Sequence, residues 1–113
     1  MKKSTRKDLF PGALEMMILQ TLRREPLHGY ALVQHIKRAS NDLLQVEEGS
    51  LYPALQRMLK AGWVTAAWRE SATGRRIRVY RVTAAGARHL TDHVSHFERM
   101  LEGVRLVLRP VGR

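Results

Sequence analysis

Glu47-Glu48-Gly49-Ser50-Leu51-Tyr52-Pro53-Ala54-Leu55-Gln56-Arg57-Met58-Leu59-Lys60-Ala61-Gly62-Trp63-Val64 is the stretch on which the fold turns. Ser50 is a natural N-cap, because its hydroxyl can accept from an orphan amide of a first helical turn. Pro53 then falls inside that turn, where a missing N–H costs nothing. Leu51, Leu55, Met58 and Leu59 recur at helical spacing, and Gly62 is the expected left-handed stop. The spacing therefore predicts a short helix with an apolar inner side. Ser50, Tyr52, Gln56, Arg57 and Lys60 are left on the outside.

Two further helices are expected upstream. From Gly12 to Arg24, Leu14, Met17, Ile18 and Leu22 recur at helical spacing, and Leu19 flanks them. Pro26 stops this helix, because the residue before a proline is pushed out of the α region. The next helix runs from about His28 to Ala39, with Tyr30, Val33 and Ile36 on one side, and Ser40-Asn41-Asp42 forms a loop. Residues 1–11 form a polar, basic arm that includes Lys2, Lys3, Arg6 and Lys7.

Downstream the period changes from helical to alternating. Trp63 to Glu70 reads as a strand with Val64, Ala66 and Trp68 on one face. Ser71-Ala72-Thr73-Gly74 is a turn. Arg76 to Val82 alternates again, with Ile77 and Val79 set against Arg76, Arg78 and Tyr80. This predicts a β-hairpin with arginines at its tip and on its return strand.

Thr83 then caps a last helix. Ala87, Leu90, Val94, Phe97, Leu101, Val104 and Leu108 are spaced 3, 4, 3, 4, 3 and 4, a heptad seam over three heptads. Arg109-Pro110 ends it. At about 1.5 Å per residue, such a helix is a rod of roughly 37 Å. A domain this small cannot cover it, so a second copy is expected to bury Leu90, Val94, Phe97, Leu101, Val104 and Leu108. The plainer alternative is that the stripe folds back on the first helix of its own chain.

Composition narrows the class. The chain has 113 residues, 20 Lys+Arg against 10 Asp+Glu, a formal net charge of +10 and no cysteine. One domain is expected. The absence of cysteine excludes disulfides, thiol catalysis and cysteine-built zinc sites. The longest apolar run is Met16-Met17-Ile18-Leu19, and the Lys2-Lys3 start has no apolar stretch behind it, so a cytoplasmic location with no membrane span is expected. The positive surplus calls for an anionic partner. Much of it sits in the arm and in Arg69, Arg75, Arg76, Arg78 and Arg81. Enzyme readings find little support. His89-Leu90-Thr91-Asp92-His93 lacks the glutamate that a metalloprotease helix needs after its first histidine. There is no glycine-rich phosphate loop and no nucleophile elbow, and Glu47-Glu48, the only adjacent acidic pair, does not face one substrate. No cofactor is expected.

Three helices followed by a hairpin is the order of a winged helix-turn-helix. The fold class expected is mainly α with a small β-hairpin: a basic arm over 1–11, a winged-helix domain over 12–83 and a dimerisation helix over 84–109. Such a fold places its third helix in the major groove of double-stranded DNA. Gln56 and Arg57 have side chains that can read base edges, whereas Ser50, Tyr52 and Lys60 suit phosphate. Arg75, Arg76 and Arg78 suit the backbone or a narrow minor groove.

Four blocks then carry a family resemblance. They are Pro26-Leu27-His28-Gly29-Tyr30, Gly49-Ser50-Leu51-Tyr52-Pro53-Ala54-Leu55, Ala61-Gly62-Trp63-Val64 and Tyr80-Arg81-Val82-Thr83-Ala84-Ala85-Gly86. In order and spacing the chain resembles the PadR family of transcriptional regulators, in its short form with one C-terminal helix. The resemblance implies a homodimeric winged-helix repressor, joined by its C-terminal helices and released from DNA by a small effector. It implies DNA contacts at Ser50, Tyr52, Pro53, Tyr30 and the wing arginines. Leu44-Gln45-Val46 ahead of the second block is similar to relatives encoded beside permeases, which implies control of a transporter operon. Two departures stand out. The family's wing often ends in Tyr-Tyr, where this chain has Val79-Tyr80. Some short members place a tryptophan on the last helix, where this chain has only Phe97.

Several residues have a plainer reading beside the functional one. Tyr52 can reach phosphate or pack against the wing, and Tyr30 can touch DNA or join the core. Trp63 reads as core. Trp68 and Phe97 are candidates to stack a ligand. His89, His93 and His96 share one helical stripe, which suits a solvated flank, a metal or a pH response. A nonspecific RNA-binding or architectural protein would share the charge, and a protein-interaction module would share the heptad seam.

Overall fold

A computed structural model of the chain describes residues 12–111, so Lys3 and Arg6 of the basic arm lie outside the described residues. Helix α1 spans Ala13–Arg24, strand β1 Leu27–His28 and helix α2 Gly29–Ala39. Helix α3 follows over Glu48–Ala61, then strands β2 at Val64–Glu70 and β3 at Arg76–Val82, and finally helix α4 over Ala84–Leu108. Among the described residues no helix is long and apolar enough to cross a membrane.

The core forms where α1, α2 and α3 bring their apolar sides together. Ile18, Leu19, Leu32, Leu51, Leu55 and Met58 are fully buried there. Each fully buried aliphatic side chain contributes about 1.5–3 kcal/mol relative to exposure.

One helix start differs from expectation. Helix α3 begins two residues before Ser50. Glu47 adopts extended backbone and is the N-cap, with its carbonyl accepting from the amides of Ser50 and Leu51 at 2.9 and 3.0 Å. Ser50 therefore stands inside the first turn, and Pro53 falls in the second. The missing N–H of Pro53 leaves the Gly49 carbonyl without its helical donor. Gly49 is exposed, so water can serve that oxygen. Helix α2 starts as expected, with His28 as its N-cap, but a strand that was not expected precedes it. Pro26 holds Glu25 extended (φ −168°, ψ 152°), and Leu27 and His28 continue in that direction beside β3, opposite Tyr80 and Val79. The hairpin thus becomes a three-stranded antiparallel sheet in the order β1-β3-β2.

Burial along the sheet runs as a gradient. Val64 pairs with Val82, Ala66 with Tyr80 and Trp68 with Arg78. Paired residues share a face. Val64 and Tyr80 are buried at its inner end, whereas Trp68 is 58% exposed. Tyr80 is accordingly a core residue and not an outward companion of Arg76 and Arg78, while Ile77 and Val79 are only half-buried. The hairpin outruns the core, so one face is apolar and covered at its base and charged at its tip.

Thr83 caps α4 as expected, its Oγ1 accepting from the amide of Gly86 at 3.0 Å and donating to the carbonyl of Gly62 at 2.6 Å. Gly86 lies so close to the Trp63 carbonyl that a Cβ would collide with it. The heptad stripe is divided. Leu90 is 1% exposed, and Val94 and Phe97 pack partly against the core. Leu90 is therefore a core residue of its own protomer, held against the body that includes α1, and is not a free partner-facing residue. Val104 and Leu108, about two and three turns beyond Phe97, are exposed, as are Met100, Leu106 and Val107.

Trp63 is half-buried, and the His89 ring stacks on it at 3.6 Å with an interplanar angle of 13°. His93 meets His89 edge-on at 5.2 Å. These two histidines are packed side chains and not a solvated flank; His96 alone of the three is exposed. No group of three or more metal-binding side chains occurs among the described residues.

Candidate nucleic-acid interface

Helix α3 turns Leu51, Ala54, Leu55 and Met58 inward, so the 3.6-residue period carries Tyr52, Pro53, Gln56, Arg57 and Lys60 to the surface. Ser50 is half-buried beside them. Arg57 is not free: its Nη2 donates to Glu15 Oε2 of α1 at 2.9 Å. Gln56 and Lys60 stand exposed.

A cleft of about 400 Å³ separates α3 from the wing. It is lined by His28, Gly29 and Tyr30, by Tyr52 of α3, and by Trp68, Arg76, Ile77, Arg78 and Tyr80 of the sheet. Of the residues expected to touch DNA, this cleft brings together Tyr30, Tyr52, Arg76 and Arg78. Tyr30 is 60% exposed and does not join the core. Arg75 lies at the hairpin turn, where its amide donates to Ser71 Oγ at 3.2 Å and the Ser71 amide donates to its carbonyl at 2.8 Å.

The cleft is electropositive on its wing side. The Arg76 guanidinium lies 4.7 Å from the centre of the Trp68 ring, and that of Arg78 lies 6.0 Å from Trp68 and 5.8 Å from Tyr80. On the other wall, burial chiefly, then Glu48 and Tyr80, push the Tyr52 phenol above its ordinary value. Tyr52 is thus protonated at neutral pH, and its O–H can donate to an anionic oxygen. The tip of that phenol also fills the space that a side chain at Gly29 would need.

The two candidate ligand-stacking residues do not share a site. Trp68 lines the wing cleft, whereas Phe97 lines a separate, mostly apolar cleft of about 500 Å³ between α1, α2 and α4, with Met17, Ile36 and Val94. Sequence reasoning missed His28 as a cleft residue, because nothing local marked Leu27-His28 as a strand. Pro26 was the available signal, since it also favours extended backbone beyond the helix end.

The same overall fold occurs in known proteins. A family model described as the PadR-like transcriptional regulator family matches residues 18–92. A transcriptional regulator from Clostridium thermocellum superimposes with a TM-score of 0.83 at 22% identity, covering 90% of this chain and 99% of that one. A PadR family transcriptional regulator from Eggerthella lenta superimposes with a TM-score of 0.78 at 28% identity, covering 93% and 89%. An uncharacterized protein from Lysinibacillus sphaericus is 27% identical over 103 residues, or 91% of this chain and 94% of that protein.

Proposed function

Since the chain belongs to the PadR-like family of transcriptional regulators, which act on DNA and are not enzymes, we propose that it is a sequence-specific repressor working as a homodimer on a palindromic operator. The observation that carries this reading is the wing cleft, where Tyr30, Tyr52, Arg76 and Arg78 arrive from three elements beside the exposed face of α3. In this reading α3 enters the major groove, and Gln56 and Arg57 address base edges. Ser50, Tyr52, Pro53, Lys60 and the wing arginines hold the backbone, and Lys3 and Arg6 of the arm add phosphate contacts.

The homodimer reading is supported by the outer end of α4, whose exposed Val104, Leu106, Val107 and Leu108 are costly to leave in water. With Leu90 already buried in its own protomer, the partner contact shifts toward Leu101, Val104 and Leu108, with Val94 and Phe97 at its inner margin. Two-fold symmetry then places half-sites about one helical turn, ~34 Å, apart. The cleft at Phe97 is of a size that suits a small apolar effector releasing the protein from DNA. The protein would act in the cytoplasm, on a target such as a neighbouring transporter operon.

A gel shift tests this directly, with duplex from the region upstream of the chain's own gene set against random duplex. A retarded band that survives moderate salt and excess random competitor is expected. Equal affinity for both duplexes, with a steep salt slope, would instead support a nonspecific nucleic-acid binder. Light scattering that reports a single chain at micromolar concentration would remove the homodimer.

A further inference from the structure

Trp68 is a large aromatic side chain left 58% exposed on the wing. Burial does not hold it there; its cross-strand neighbours do. The register sets Trp68 opposite Arg78 and Glu70 opposite Arg76, so Trp68, Arg76 and Arg78 all leave the same face of the hairpin. The Arg76 guanidinium then settles over the indole at 4.7 Å from its centre, and that of Arg78 lies between the indole and the Tyr80 ring, at 6.0 and 5.8 Å. A cation over an aromatic face is attracted to the negative lobe of the ring. Stacking uses the plane of a guanidinium and leaves its in-plane N–H donors free for an anion. Although Glu70 is opposite Arg76 in the ladder, neither arginine is paired with a carboxylate among the described residues.

Resting on the DNA-binding reading above, we infer that Trp68 is a positioning residue whose ring holds Arg76 and Arg78 at the wing cleft, so that the cleft receives a backbone phosphate of DNA. The protonated Tyr52 phenol, on the opposite wall, supplies a further donor to that phosphate. Without the ring, two long side chains would sample many rotamers and lose that freedom only on binding. The ring removes part of that cost in advance. It acts on the backbone and not on base edges, so its effect is the same for operator and random duplex.

A double-mutant cycle tests the arrangement, using fluorescence anisotropy with upstream and random duplexes at fixed salt. Trp68→Leu keeps apolar bulk and removes the ring face. It is expected to weaken both duplexes about two- to tenfold. Trp68→Phe should restore most of the loss. In a chain already carrying Arg76→Ala and Arg78→Ala, Trp68→Leu should add almost nothing. An equal loss in both backgrounds, or no loss from Trp68→Leu in the parent chain, would overturn the inference. Thermal unfolding of each variant accompanies the cycle, and Trp68→Thr, a strand-favouring residue without a ring, takes the place of Trp68→Leu if that variant folds poorly. If the parent chain binds neither duplex, the DNA-binding reading itself fails. If it binds and the cycle is additive, only the role of Trp68 fails.

Discussion

Arg57 and Glu15 are joined at 2.9 Å, which ties the outer face of α3 to α1 across 42 positions of sequence. The arginine side is 62% exposed and the glutamate side 16%. An exposed pair of this kind contributes at most about 1 kcal/mol to stability. Its larger consequence is for binding, because Glu15 competes with any phosphate or guanine for the same guanidinium. Glu15→Gln is therefore expected to change stability by no more than about 1 kcal/mol in thermal unfolding, while raising duplex affinity in a titration. Arg57→Ala should lower affinity and, if the guanidinium reads a guanine, relax base preference by ~1–3 kcal/mol. Unchanged affinity in Glu15→Gln would mean that the pair persists on DNA.

Close enough to Glu15 to feel its charge, the Trp63–His89 stack makes stability depend on pH. Burial first, and then the neighbouring His93, hold the His89 imidazole below its ordinary value of 6.5; Asp92 and Glu15 pull the other way. Above 6.5 the ring is neutral both folded and unfolded, so its stacking is fully available. As pH falls below 6.5 the unfolded chain takes up a proton that the folded chain resists, and stability drops until the lower folded value is passed. Beside His89, His93 Nδ1 is buried without a hydrogen-bond partner among the described residues. Melting temperatures from pH 8 to pH 5 should fall more steeply for the parent chain than for His89→Gln. Parallel curves would show that the stack is not the acid-sensitive element.

With the chain paired as proposed, the divided stripe of α4 separates folding from association. Leu90→Ala removes a fully buried side chain and is expected to cost about 2–5 kcal/mol of stability. Leu108→Asp changes a residue 74% exposed in the protomer, so the melting of a dilute monomer should hardly move. Sedimentation equilibrium should instead show weaker self-association. If Leu108→Asp left the dimer intact, the interface would have to lie nearer Val94 and Phe97.

What could be read from sequence was what local rules decide. The end points of α4 follow from the Thr83 cap and the heptad run, both of which act within a few residues. The arginines of the wing follow from alternation and a turn. Strand β1 was invisible because two residues have no period. Ser50 looked like the cap because its side chain suits one, whereas the Glu47 backbone performs that role. Periodicity showed that Leu90 and Leu108 share a stripe, but not that its inner end is buried in the chain's own core while its outer end is exposed. The Glu15–Arg57 pair is a product of tertiary packing, and no spacing rule reaches so far along the chain.

Two glycines provide a last, contrasting test. A Cβ on Gly86 would run into the carbonyl group of Trp63, which is backbone fixed by its bond from the Thr83 amide at 3.0 Å. A Cβ on Gly29 would lie 2.5 Å from Tyr52 Oη and 2.9 Å from two ring carbons, at the far end of a side chain that can swing aside. Gly86→Ala must therefore move α4 against β2 and is expected to cost about 1–3 kcal/mol or more. Gly29→Ala should cost less stability, because Tyr52 yields first. In yielding, the phenol leaves the wall of the wing cleft, so duplex affinity should fall even where the melting temperature is nearly kept. Measuring both quantities on both variants separates the roles. If Gly29→Ala melted as early as Gly86→Ala yet bound DNA normally once folded, Tyr52 would be a packing residue and not a phosphate donor.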